Sequence, residues 1–252
     1  MIVLGMGRVG QGLKALAMEA NAPFVGVTRS AGHEALRASP AGGPILVCVN
    51  AGDLMACIGA VPERRRADLV FTQNGMLDSF LKNAGLQENT RGLLYFAVPK
   101  RGDRPAPGGT SVFSGPHAAP VVAWFRRLGL TARSIERSEF TEEMASKLIW
   151  NCTFGLMCEV HGASVGRLVQ EERPAIDELI GEFVNVSNAA LGSKLDRETV
   201  SREACAYSLS IPNYTGALKQ HPWRNGWFID SAIQLGIDTP VHRTLMRRAA
   251  KD

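Results

Sequence analysis

The chain has 252 residues, 45% of them hydrophobic and 21% charged. That is ordinary globular composition, which excludes a disordered or fibrous chain. One or two domains are expected at this length, with a core that needs no disulfide or metal to close it. Lys and Arg number 28 against 24 Asp and Glu. The net charge of +4 is too mild, and too evenly spread, to mark a nucleic-acid surface.

Arg64-Arg65-Arg66, the densest basic run, lies between Pro62-Glu63 and Ala67-Asp68 and reads as a solvated turn. The five cysteines (Cys48, Cys57, Cys152, Cys158 and Cys205) form no CxxC pair and lie at no ligand spacing from a histidine. They read as small core residues of a reducing compartment, with no metal site. No run reaches the ~18 apolar residues of a membrane span. Met1 leads straight into Ile2-Val3-Leu4, leaving no room for a leader, so a cytoplasmic protein without membrane partners is expected.

In chain order, the apolar run at 2–4 precedes helical spacing over 10–20, and 24–28 is apolar again. Runs at 44–49, 69–72 and 93–98 follow as buried-strand candidates. Short unbroken apolar runs between helical stretches predict a parallel sheet covered on both faces. Residues 99–109, rich in Gly, Pro and Arg, predict an irregular loop. Strands at 112–114 and 132–135 then flank a helix over 120–128. Beyond Ser138 the texture changes: 139–159, 173–191, 198–208 and 226–235 read as helices with no strand among them. Ser138 or Thr141, followed by Glu142 and Glu143, predicts a helix start. The domain boundary is placed there, giving 1–137 and 138–252.

Gly5-Met6-Gly7-Arg8-Val9-Gly10 is GxGxxG, between an apolar run and a helix carrying Leu13, Leu16 and Ala17 on its apolar face. Gly5 permits the tight turn, Gly7 a close approach of backbone to pyrophosphate, and Gly10 close packing of helix on strand. The free N–H groups of the helix start then face the phosphates. A dinucleotide site is the expectation. At the end of the second strand, where an NAD site has an acid for the ribose hydroxyls, stand Thr28-Arg29-Ser30. A guanidinium between two hydroxyls suits a 2′-phosphate, so NADP is expected over NAD.

In the helix at 139–159, Glu143, Lys147 and Asn151 share one face at i, i+4 and i+8. Spacing alone allows a surface Glu–Lys pair. If the face lines a cleft, Lys147 becomes a proton donor to the oxygen of a carbonyl under hydride attack.

At this point the sequence resembles the ketopantoate reductase family. The N-terminal phosphate loop carries part of the likeness, and Gln73-Asn74-Gly75-Met76 is similar to the family's Asn-Gly turn beside nicotinamide and substrate. Lys147-Leu148-Ile149-Trp150-Asn151-Cys152 resembles the segment bearing the catalytic Lys, with a substrate-binding Asn one turn later. Asn225-Gly226 and Gly236-Ile237-Asp238-Thr239-Pro240 resemble the C-terminal helix and its Gly-x-x-x-Pro end. The resemblance implies a Rossmann-type, doubly wound NADP domain followed by an all-α substrate domain, with the active site in the cleft between them. It also implies hydride transfer from NADPH to a 2-keto acid in pantothenate biosynthesis, Lys147 as general acid, and a homodimer.

Departures accompany the likeness. Where the family has a Glu near the substrate hydroxyl, this chain has Gln220, an amide that hydrogen-bonds but carries no charge. The family's basic residue near the 2′-phosphate is Asn50 here, and two expected amides are Gly155 and Val165. Three readings follow: a reductase of ketopantoate, the same machinery on another carbonyl or imine, and a non-catalytic NADP-binding sensor.

Overall fold

A run such as Ile45–Val47, apolar at every position, needs cover on both faces of a sheet. The computed structural model, which describes residues 1–250, supplies that cover. Among the described residues nine strands form: β1 (Ile2–Leu4), β2 (Val25–Val27), β3 (Ile45–Val47), β4 (Leu69–Phe71), β5 (Thr90–Leu93), β6 (Phe96–Ala97), β7 (Ala106–Pro107), β8 (Ser111–Ser114) and β9 (Ala132–Ser134). Seven make one sheet in the order β2-β1-β3-β4-β5-β8-β9. It is parallel as far as β5, antiparallel between β5 and β8, and parallel again between β8 and β9.

Around it lie α1 (Arg8–Glu19), α2 (His33–Ala38), α3 (Leu54–Gly59), α4 (Asp78–Asn83) and α5 (Ala118–Arg127). The remaining helices are α6 (Arg137–His161), α7 (Val165–Glu171), α8 (Arg173–Leu191), α9 (Arg197–Ser210), α10 (Asn225–Leu235) and α11 (Pro240–Ala249). The chain divides into two compact units, Met1–Phe140 and Thr141–Asp252. The first is a Rossmann-type α/β unit and the second is all-α, the fold class expected from the sequence.

In the first unit, Val3, Leu46, Val70 and Phe113 point to one face and bury Leu13, Ala17, Val121 and Phe125 of α1 and α5. Phe113 and Phe125 meet edge to face at 5.0 Å. In the second unit α8 is central, with α7, α9, α10 and α11 packed against it. Phe183 of α8 stacks on Phe228 of α10 at 4.0 Å. Gly236 ends α10 at φ +66°, and Pro240 opens α11, so the Gly-x-x-x-Pro turn joins two helices.

Four expectations are corrected. The single strand expected at 93–98 is divided. β5 runs earlier, at Thr90–Leu93, with Arg91 held in a buried strand by Asp78 at 2.8 Å and the Phe140 ring. Only Phe96–Ala97 of the expected run forms a strand, in the ribbon with β7. Residues 99–109 are not wholly irregular, since β7 pairs with β6 in a small ribbon. Neither Ser138 nor Thr141 caps α6; the helix starts at Arg137 and both lie inside it. Arg65 is no solvated turn residue, being 1% exposed. Its Nε lies 2.6 Å from Asp68 Oδ2, its Nη2 donates to Gly43 O at 2.8 Å, and its Nη1 bonds Ser39. His117 Nε2 reaches the other Asp68 oxygen at 3.1 Å.

Candidate active site

The turn from β1 into α1 is set by its glycines. Gly5 has φ +102°, and a Cβ on it would lie 2.7 Å from Val49 Cγ1. A Cβ on Gly10 would lie 2.1 Å from Gly5 O, so only glycine lets the helix start this close to the turn. Gly7, the N-cap of α1, has open space where its side chain would be. That open side faces a cavity of about 710 Å³ lined by Gly5, Met6, Gly7, Arg8 and Val9. The α1 N-terminus has no side-chain cap, so its first N–H groups remain available to an anion. The cradle fits the pyrophosphate of a dinucleotide. Gly10→Ala is expected to cost about 1–3 kcal/mol of stability by overpacking and to abolish saturable binding of a reduced nicotinamide dinucleotide, checked by melting and fluorescence titration.

Thr28, Arg29, Ser30 and Asn50 line the same cavity. Ala31 N donates to Thr28 Oγ1 at 3.1 Å, fixing the turn after β2. Arg29 is 94% exposed, with Nη2 4.0 Å from Asp53 Oδ1. Sequence reasoning missed Asp53, which also lines the cavity from the turn after β3, where an acid carries no recognised signal. Arg101 was missed as well: its Nη2 donates to Met6 O at 3.3 Å, and Arg8 Nη1 donates to Pro99 O at 3.3 Å. These two bonds tie the 99–105 loop to the phosphate turn. Two thiols, Cys48 and Cys57, line the cavity; burial pushes them up to about 12 and about 11, so both stay protonated.

Asn74 lies beyond the carboxyl end of β4, exposed, and outside that cavity lining. Its neighbour Gln73 turns inward, donating to Val47 O and Val49 O at 3.0 Å each. Gly75 at φ +123° completes the turn. Asn74 thus sits at the strand ends where open α/β sheets bind ligands.

In the helical unit, Lys147 is partly buried and Asn151 Nδ2 donates to Lys147 O at 2.7 Å. Burial lowers the Lys147 ammonium from 10.5 to about 7, helped by the Arg224 charge and opposed by Glu143. Near neutrality such an amine exchanges a proton readily. Arg224 is the residue before α10, and sequence reasoning missed it because nothing in Trp223-Arg224-Asn225 marks it. Asn225 Nδ2 lies 3.5 Å from Cys152 O and 3.2 Å from His242 Nε2, which fastens the start of α10 to α6. Gln220, at φ +51°, has a buried Oε1 without a hydrogen-bond partner among the described residues. Arg224 Nε is likewise buried and unpartnered. Unmet buried groups of this kind cost about 1–3 kcal/mol each unless a ligand satisfies them.

The departure at Gly155 has a backbone cause. A Cβ on Gly155 is only 3.0 Å from Ala217 O, and Val165 N donates to Tyr214 O at 2.9 Å. The 211–220 segment lies across α6 and the start of α7, occupying the space a longer side chain at Gly155 would need. Trp150 packs beneath it against Phe154, Tyr207 and Tyr214.

No family model matches the sequence, and no curated protein matches it. Solved structures do match. A PanE/ApbA family ketopantoate reductase from Ralstonia eutropha JMP134 is 19% identical, with 99% of this chain and 97% of that chain covered at TM-score 0.77. A dimeric ketopantoate reductase from Staphylococcus aureus is 15% identical over 99% and 97%, at 0.75. D-mandelate dehydrogenase, solved with NADH and anilino(oxo)acetate, is 13% identical over 100% and 98%, at 0.77. In fold, therefore, the chain is similar to ketopantoate reductases and related dehydrogenases along its whole length. No helix among the described residues is long and apolar enough to cross a membrane.

Proposed function

We propose that the protein is an NADPH-dependent reductase of a small 2-keto acid, of the ketopantoate reductase kind. The observation that carries this is Lys147, an amine brought to about 7 by burial and a neighbouring cation, one helical turn from an amide. The first unit holds the dinucleotide through Gly5, Met6, Gly7, Arg8, Val9 and Gly10. A reduced nicotinamide, when bound, supplies a hydride to the carbonyl carbon. Lys147 gives its proton to the carbonyl oxygen as negative charge develops there, and the neutral amine then recovers a proton from water. Asn151, Asn74 and Gln220 orient the substrate by hydrogen bonds and carry no charge themselves. The fold neighbours that reduce or oxidise 2-hydroxy and 2-keto acids support this class of substrate. Ketopantoate is the first substrate to test.

Arg29 favours the 2′-phosphate of NADPH, while Asp53 offers a carboxylate to which ribose hydroxyls donate. Arg29→Ala is expected to weaken NADPH about five- to tenfold and leave NADH unchanged, the modest size reflecting its exposure. Asp53→Ala should move the ratio the opposite way, and dissociation constants for both cofactors measure it. A homodimer through the helical unit is the proposed assembly, tested by light scattering.

NADPH oxidation across a panel of 2-keto acids tests the function. Turnover of at least one of them supports it. NADPH binding without oxidation of any member would leave the sensor reading in its place, and turnover confined to imines or simple ketones would move the substrate class.

A further inference from the structure

The face of α6 that carries Lys147 has a second cation beside it. Arg224 stands at the N-terminal boundary of α10, and the bond from Asn225 to Cys152 O holds that boundary against α6 one turn beyond Lys147. Its charge acts on Lys147, and Cys152 and Tyr214 are its own electrostatic neighbours. No carboxylate among the described residues pairs with Arg224. Its Nε is buried without an acceptor among the described residues, and burial disfavours its charge. A partly buried arginine with no carboxylate partner, next to another cation, is electrostatically completed by an anion. Gln220, four residues earlier on the same segment, leaves its own buried Oε1 unmet.

We propose that Arg224 is the residue that selects an anionic substrate, its guanidinium receiving the carboxylate of a small 2-keto acid whose carbonyl oxygen then lies at Lys147. A guanidinium presents two N–H groups to a carboxylate in one plane, which fixes the carbonyl next to it as well as binding the charge. The assignment rests on Lys147 as proton donor to a small carbonyl compound and adds which neighbouring group of the substrate is recognised. A neutral carbonyl compound of the same size, such as the methyl ester of the acid, would lack the partner Arg224 requires.

The test uses the full chain with NADPH present and three variants, Arg224→Met, Arg224→Gln and Arg224→Lys. NADPH affinity and melting temperature report whether each folds. Binding of oxamate, an unreactive analogue of a 2-keto acid, is measured by calorimetry, and kcat/KM is measured for a 2-keto acid and its methyl ester. Arg224→Met and Arg224→Gln are expected to weaken oxamate and the acid about 100-fold and the ester by less than about threefold, with Arg224→Lys between. Oxamate bound equally by wild type and both neutral variants overturns the assignment, as does an equal loss on acid and ester. Failure of the wild type to bind oxamate overturns it too, even if some carbonyl compound is reduced. Oxamate binding that depends on Arg224, in a protein that reduces nothing, would sustain the anion site while removing the reductase reading.

Discussion

Replacing Lys147 by Ala is expected to lower kcat/KM for 2-keto acid reduction by about 10³-fold, within the usual range for a lost general acid. NADPH binding should be unchanged, because the contacts proposed for the dinucleotide belong to the other compact unit. Asn151 bonds the backbone carbonyl of residue 147 rather than its side chain, so the substitution leaves that contact in place. The loss should fall mainly on kcat, since the proton is transferred only as charge develops on oxygen. Steady-state kinetics with a NADPH titration separates the two effects. A variant with near wild-type turnover would remove Lys147 from the chemistry.

The largest stability effect is expected at Arg65. Arg65→Met strips the buried Asp68 of its closest cationic partner, leaving that carboxylate to His117 and the Gly42 N–H. Breaking a buried pair from one side costs about 3–5 kcal/mol, because the remaining charge stays desolvated. At about 2–4 °C per kcal/mol for a domain of this size, the melting temperature of the first unit should fall by roughly 10 °C. The double variant Arg65→Met, Asp68→Leu should recover part of the loss, since no unpaired charge then remains. Calorimetry of the three proteins checks both statements, and a single-variant shift under about 2 °C would contradict the first.

The parts of the molecule that repeat a local rule were legible in the sequence. GxGxxG between an apolar run and a helical stretch located the phosphate turn, because its glycines answer to steric demands that any such turn makes. Helix α8 was read from its helical spacing as 173–191, the bounds it has in the structure. Elements whose identity is decided by tertiary partners were not legible. Arg91 and Gly92 disguise β5, since the strand is held by Asp78 and by packing rather than by β-propensity. Helices α2, α3 and α4 have six residues each, too few for a period to show. The Arg64–Arg66 triplet looked solvated because nothing local says that one of its three side chains turns inward to Asp68.

The same division runs through the candidate site. Lys147 and Asn151 were found from spacing on one helix and from the family resemblance. Arg224 and Asp53 were not, as each becomes noticeable only when distant segments meet: Arg224 beside Lys147, Asp53 beside Arg29. Gly155 looked like a lost polar contact in sequence and is instead the place where the 217 backbone crosses α6.

The pH dependence of kcat/KM for 2-keto acid reduction bears most directly on the role given to Lys147. Only the protonated amine donates, and its affinity for the proton is lowered from 10.5 to about 7, chiefly by burial. The rate should therefore be level below about pH 7 and fall about tenfold per pH unit above it, with the break absent from the residual activity of Lys147→Ala. A wild-type profile that stays level to about pH 9, or a break that survives in the variant, would contradict proton donation by this residue.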